Sequence, residues 1–152
     1  MRYILLLFFM LLPGLCWAGD KAEVVISDTW IRETPPGVSP MAGYLELDNN
    51  SPETIVLTGV SSRDFKRIEL HRTRVEGEIA RMERKESLTL SPGQTVKLQP
   101  GDYHLMLFGP SRPLRAGDQV SLIFTFKDHP PQTVEAVIRE HDRGGSGHHH
   151  HH

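Results

Sequence analysis

The sequence contains little cysteine: Cys16 is the single one among 152 residues. Cys16 lies in an N-terminal segment that we expect to be removed on export. The mature protein would then have no disulfide bond, no thiolate nucleophile and no cysteine ligand for zinc. It would also lack the thiolate that a blue-copper electron carrier requires.

Long hydrophobic runs are absent as well. The apolar stretch at residues 3–12 is too short for a bilayer, which needs roughly 20 apolar residues. It follows Arg2 and precedes a Pro-Gly pair and the small residue Ala18, a pattern typical of export signals. We therefore expect residues 1–18 to be a signal peptide cleaved after Ala18. The mature protein would be periplasmic, without stable membrane insertion.

Lipid attachment at Cys16 is the less favoured alternative for this segment. Leu15 precedes the cysteine, at a position where lipoprotein signals want a small residue. Cleavage after Ala18 agrees better with the small residues at that point.

No charge of one sign dominates. The chain carries 17 Lys and Arg against 19 Asp and Glu, a formal net charge of −2, and the two signs are interspersed. This composition argues against a nucleic-acid partner. Residues 144–152 read as a Gly/Ser linker and a histidine tag, so five of the nine histidines carry no biological information. One domain at residues 19–143, expected to be monomeric, is left.

Turn signals recur along this domain at the spacing of an all-β protein. Each combines Pro, Gly, Asn or Asp; examples are Pro35-Pro36-Gly37, Ser91-Pro92-Gly93, Pro100-Gly101-Asp102 and Ala116-Gly117-Asp118. The runs between them, such as residues 44–47 and 122–126, alternate apolar and polar side chains. Strands that bury alternate side chains are covered most simply by a second sheet, so the pattern predicts a β-sandwich with Trp30 in its core.

Residues 63–90 allow two interpretations. Several apolar residues there fall near a helical spacing: Phe65, Ile68, Val75, Ile79 and Met82. Residues 67–71 alternate as a strand would, and an interior glycine such as Gly77 costs about 1 kcal/mol in a helix. A hairpin that turns at Glu76-Gly77 would place His71 directly opposite Met82. Because glutamate suits a turn position of positive φ poorly, the register could slip by one residue. The pattern by itself leaves helix and hairpin open.

Four side chains could hold a metal ion: His71, Met82, His104 and Met106. In a strand over residues 103–108, Leu105 and Leu107 would face the core while His104 and Met106 project from the other face. Two imidazoles and two thioethers form a soft, neutral ligand set that suits Cu(I). Taken singly, each residue has an ordinary explanation, because methionine fills gaps in cores and histidine is common on surfaces. Met41 is expected in an exposed loop, and its approach to the metal is the less favoured alternative.

The spacing of these four residues resembles the motif of the PCuAC-type periplasmic copper chaperones. That motif is histidine, ten residues, methionine, twenty-one residues, then histidine-x-methionine, and His71, Met82, His104 and Met106 match it throughout. The resemblance extends over residues 42–45, 68–71 and 98–107, with Pro113-Leu114 and Gly117-Asp118 beyond. It implies a cupredoxin-like Greek-key β-sandwich, and hence strands at residues 63–90.

The resemblance also implies a function. The protein would bind one Cu(I) per chain and deliver it to the copper subunit of cytochrome c oxidase, or to another copper-transfer protein, during assembly. It would not be an enzyme. Two alternatives stay open: a periplasmic copper storage or resistance protein, and a β-sandwich interaction module that binds no metal.

The chain departs from the family pattern in three places. Residues 79–86 contain only one methionine, Met82, where relatives often carry more. Asp102 stands where glycine is usual, and no Met- or His-rich extension follows the domain. The missing extension puts a second copper site in doubt, in particular a site for Cu(II).

Overall fold

The computed structural model describes residues 23–140. The predicted signal peptide, His141 and the tag lie outside the described residues. The described part consists of strands joined by turns, and it contains no helix long and apolar enough to cross a membrane. The ten strands are β1 (Val24–Arg32), β2 (Met41–Asn49), β3 (Ile55–Ser61), β4 (Phe65–Glu76), β5 (Ile79–Lys85), β6 (Leu88–Leu90), β7 (Thr95–Leu98), β8 (Tyr103–Pro110), β9 (Gln119–Phe126) and β10 (His129–Arg139).

The strands form one hydrogen-bonded path in the order β5-β4-β8-β2-β1-β10-β9-β3-β6, with β7 paired to β2. Only β1 and β10 run parallel among the pairs of this part of the chain; the others are antiparallel. The path folds over so that buried side chains from nine of the strands, all except β5, meet in one core. The prediction of an all-β sandwich is confirmed.

Alternation along the strands builds this core. In β8, Leu105 and Leu107 are fully buried, and in β9 the same holds for Leu122 and Phe124. Because successive side chains of a strand point to opposite faces, the residues between them face away from the core. In β8 those residues are His104 and Met106.

Residues 63–90 form strands, as the resemblance implied, but the predicted turn is wrong by one residue. The turn lies at Gly77-Glu78, and Gly77 adopts a φ of 64°. Two-residue turns of this kind favour glycine at their first central position, which a turn at Glu76-Gly77 would give to glutamate. The strand register shifts in consequence: Thr73 lies opposite Met82, and His71 lies opposite Arg84.

Two predicted placements of apolar residues are also wrong. Trp30 is only partly buried and packs outside the core against Tyr44, with 4.6 Å between the ring centroids. Ile31 takes the core position instead, since a strand presents only every second side chain to the core. Met41 is the first residue of β2, opposite Leu107, and is 2% exposed. Met41 therefore lies in the core, on the face of the sheet opposite to Met106.

Candidate metal centre

The centre of the candidate site is a pair of histidines on adjacent strands. His71 of β4 lies directly opposite His104 of β8, and their ring centroids are 6.1 Å apart. Met106 follows two residues after His104 and lies opposite Glu69. Since side chains alternate along a strand, these four residues share one face of the sheet, away from Leu105 and Leu107.

Met82 shares the same face but lies farther out. Its partner across the β4–β5 ladder is Thr73, two residues from His71. It is therefore a diagonal neighbour of His71, with the backbones roughly 7–8 Å apart. Its side chain is 54% exposed, on the strand that ends the hydrogen-bonded path. The structure thus brings the four predicted residues to one face. His71 lies on β4, between the strand that carries Met82 and the strand that carries Met106.

The ring of His104 is held in one orientation. Its Nδ1 lies 2.9 Å from the backbone carbonyl oxygen of Asp102, and the residue is 5% exposed. A carbonyl oxygen only accepts hydrogen bonds, so Nδ1 donates. The lone pair of the neutral ring is therefore on Nε2, which is left available to a metal ion.

The ring of His71 has the opposite arrangement. Its Nε2 lies 2.9 Å from a carboxylate oxygen of Glu69, and its Nδ1 is buried without a hydrogen-bond partner among the described residues. The hydrogen bond from His71 lowers the pKa of Glu69, and the nearby charges of Arg67 and Arg84 lower it further. An ionised carboxylate only accepts, so Nε2 donates, and in the neutral ring the lone pair is then on Nδ1.

The two rings are close enough to share one ion. Bonds from imidazole nitrogen to a metal are about 2 Å long, and the ring centroids of His71 and His104 are 6.1 Å apart. Nowhere in residues 23–140 do three His, Cys, Asp or Glu side chains converge as a metal site would need. On the same face, Met82 and Met106 carry thioethers, which favour soft ions.

Sequence reasoning did not identify Glu69 as part of the site. The signal was present, because Glu69 and His71 are separated by one residue and must share a face in any strand. Asp102 stands where glycine is usual in the family. Its backbone carbonyl accepts from His104, and its carboxylate accepts from Arg72 Nε at 3.1 Å. His129, the first residue of β10, pairs with Glu23. In the described part of the chain, β10 pairs with β1 and β9 and not with β4 or β8.

Comparison with known sequences gives one family match and several relatives. A family model described as "Putative lipoprotein LpqE-like" matches residues 24–138. The protein Lxx21020 of Leifsonia xyli subsp. xyli is 27% identical over 124 residues, which are 80% of this chain and 74% of the relative. The uncharacterised protein RP573 of Rickettsia prowazekii is 30% identical over 122 residues, 78% of this chain and 67% of the relative.

Comparison with solved structures finds the same fold. The copper-bound PCuAC domain from PmoF2 superposes with a TM-score of 0.67 at 22% identity, covering 78% of this chain and 94% of that domain. The solution structure of CuI-DR1885 from Deinococcus radiodurans gives a TM-score of 0.65 at 28% identity, covering 80% of this chain and 81% of the other. The fold is therefore the cupredoxin-like β-sandwich of PCuAC domains, as the sequence resemblance implied.

Proposed function

We propose that this chain, which belongs to the LpqE-like family, is an exported copper chaperone that binds one Cu(I) through His71, Met82, His104 and Met106. One observation carries the proposal: His71 and His104 face each other across two strands with their rings oriented by separate hydrogen bonds. Each bond leaves a lone pair free on the other ring nitrogen. Such bonds from the second ring nitrogen are typical of metal-binding histidines.

Two further findings support copper as the cargo. Structures similar to this one include a copper-bound PCuAC domain and a Cu(I) form of DR1885. The ligand set is also neutral and soft, which matches Cu(I) better than Mg²⁺, Ca²⁺ or Mn²⁺. The family description as a lipoprotein supports export, whereas the export signal itself lies outside the described residues.

The unequal exposure of the proposed ligands supports transfer of the ion to a partner. His104 is 5% exposed and Met82 is 54% exposed, so a partner's ligand would reach the ion from the Met82 side. An acceptor with two cysteine thiolates, such as the copper subunit of cytochrome c oxidase that the family resemblance suggests, would hold Cu(I) more tightly than thioethers do. Copper would then move towards that acceptor.

Copper binding is tested by titrating tag-free protein with Cu(I) in competition with a chromophoric chelator. We expect one Cu(I) per chain, and at least a tenfold loss of affinity, about 1.4 kcal/mol, for Met106→Leu, Met82→Leu or His104→Ala. Met41→Leu and His129→Gln are the matched controls. Met41 lies in the core and His129 lies on β10, and neither is a proposed ligand. Parental affinity in all three site variants would contradict the proposal, and absence of Cu(I) binding would favour the metal-free interaction module.

Delivery needs a separate experiment. Cu(I)-loaded, tag-free protein is mixed with an equal amount of the reduced, metal-free copper domain of a cytochrome c oxidase subunit, and both are followed by NMR. Delivery predicts that copper reaches the acceptor faster than it is released to a free chelator. Copper that stays on the loaded protein would instead favour storage.

A further inference from the structure

Glu69 is a carboxylate placed among the proposed copper ligands. It lies two residues before His71 on β4 and opposite Met106 on β8. Its side chain is 11% exposed, and one of its oxygens accepts the hydrogen bond from His71 Nε2 at 2.9 Å. A carboxylate at this position could either join a metal site or orient the histidine beside it.

The surroundings of Glu69 favour the orienting role. Its second oxygen faces two guanidinium groups, with Arg67 Nε at 2.9 Å and Arg84 Nη1 at 3.6 Å. Arg67 is itself held over the ring of Phe108, with its guanidinium carbon 4.2 Å from the ring centroid. Both carboxylate oxygens are therefore engaged, and the negative charge is balanced without a metal ion.

The histidine needs such an orienting group. A neutral imidazole exists in two tautomers, and only the form protonated at Nε2 presents a lone pair at Nδ1. In His71 this Nδ1 is the buried nitrogen without a partner in residues 23–140. An acceptor at Nε2 selects that tautomer, because the other one would leave two lone pairs facing each other.

We propose that Glu69 is a positioning residue that fixes the tautomer and ring orientation of His71, so that Nδ1 is presented to the copper ion. This inference rests on the proposed function, since it names a further residue of the same site. Glu69 acts through His71 and does not itself bind the ion. Arg67 and Arg84 hold its second oxygen in place.

The first test uses the metal-free, tag-free protein and does not depend on copper. Long-range proton–nitrogen NMR correlations distinguish a protonated ring nitrogen from one with a lone pair. We expect His71 to be protonated only at Nε2 in the parent and to populate both tautomers in Glu69→Gln, because an amide can present either its oxygen or its NH2 group. Glu83→Gln is the matched control, because Glu83 is paired with Lys85 and Arg74 and does not contact His71.

The second test measures Cu(I) affinity by chelator competition. Loss of an orienting partner usually weakens metal binding by about 10–100-fold, and we expect that loss for Glu69→Gln but not for Glu83→Gln. Glu69→Asp keeps a carboxylate, which can only accept a hydrogen bond from His71, and it should therefore show a smaller loss than Glu69→Gln. If the glutamine variant does not fold, Glu69→Ala replaces it and is expected to show the same loss of about 10–100-fold.

The two tests separate the possible failures. An unchanged His71 tautomer in Glu69→Gln would overturn the positioning role, whatever the protein does with copper. A changed tautomer with parental Cu(I) affinity would overturn it as well. Failure of the parent to bind Cu(I), with the tautomer still controlled by Glu69, would instead contradict the proposed function.

Discussion

At the scale of single residues, Asn49 shows how one polar side chain can hold several segments together. It is 1% exposed, and its amide nitrogen donates to the carbonyl oxygens of Glu53, Leu90 and Ser91 at 2.7, 3.0 and 3.1 Å. Its side-chain oxygen accepts from the backbone nitrogen and hydroxyl of Ser51 at 3.0 and 2.8 Å. Asn49 is therefore a buried connection between the end of β2 and the end of β6.

Replacing this side chain should destabilise the whole domain. Asn49→Ala would leave buried carbonyl groups without donors, and each such group costs about 1–3 kcal/mol. We expect the free energy of unfolding in urea to fall by about 2–3 kcal/mol. The neighbouring Asn50 is exposed, so Asn50→Ala should change the free energy of unfolding by less than about 0.5 kcal/mol. Equal stability of the two variants would contradict the role assigned to Asn49.

At the scale of elements, the β4–β5 hairpin has two parts with different support. Its inner part pairs with β8 as far as Arg72, whereas its outer part has no other strand beside it in residues 23–140. The outer part exposes large apolar side chains, with Val75, Ile79 and Met82 at 70%, 59% and 54%. Segments with few buried contacts open locally at low free energy. Met82 therefore lies on the least supported part of the site.

The turn of this hairpin should control how well Met82 is placed. Gly77 has a φ of 64°, and a Cβ there would meet no atom within 4 Å, so Gly77→Ala adds only backbone strain of about 1–2 kcal/mol. We expect amide hydrogen exchange in the outer hairpin to become about tenfold faster, with weaker Cu(I) binding and little change in global unfolding. Gly59→Ala is the control, because Gly59 has open space and no positive φ.

At the scale of the whole molecule, the connection from β8 to β9 ties the core to the last strand, β10. Leu114 of this connection joins the core. Asp118 accepts hydrogen bonds from the backbone of Arg115 at 2.9 Å and from the Arg112 guanidinium at 3.0 Å. Its backbone carbonyl accepts from Ile138 of β10 at 2.8 Å. The connection is thereby attached to the last strand of the described part.

These bonds make part of the stability depend on pH. The hydrogen bond from the Arg115 backbone, followed by that from Arg112, lowers the pKa of Asp118. A carboxyl group with a lowered pKa in the folded state stabilises it above its ordinary pKa, near 4, and loses that effect as the pH falls through the lowered value. The parent should therefore have a larger free energy of unfolding than Asp118→Asn at pH 7. In urea unfolding, the difference between the two free energies should become smaller below about pH 4.

Glu78→Gln provides the control for this prediction, because it removes a carboxylate from the exposed hairpin turn and should leave the unfolding midpoint at pH 7 unchanged. A gap between the parent and Asp118→Asn that stayed constant from pH 7 to pH 3 would contradict the assigned role of the Asp118 carboxylate.

The sequence by itself determined the elements and much of the candidate site. Period-two alternation and the recurring turns predicted the strands, and alternation in β8 placed His104 and Met106 away from Leu105 and Leu107. These features are local, because the two faces of a strand follow from the backbone alone. The motif spacing identified His71 and Met82 as partners of that pair, and their role as ligands stays a prediction.

Only the tertiary structure decided which residues face each other. Alternation does not specify how far one strand slides along the next, so the pairing of His71 with His104 could not be predicted, and that of His71 with Met82 was predicted wrongly. The burial of two apolar residues was also predicted wrongly: Met41 lies in the core, and Trp30 packs outside it. The contacts of Glu69 likewise join β4, β5 and β8 only after folding. Register depends on turn geometry and on packing between distant segments, and a local pattern contains neither.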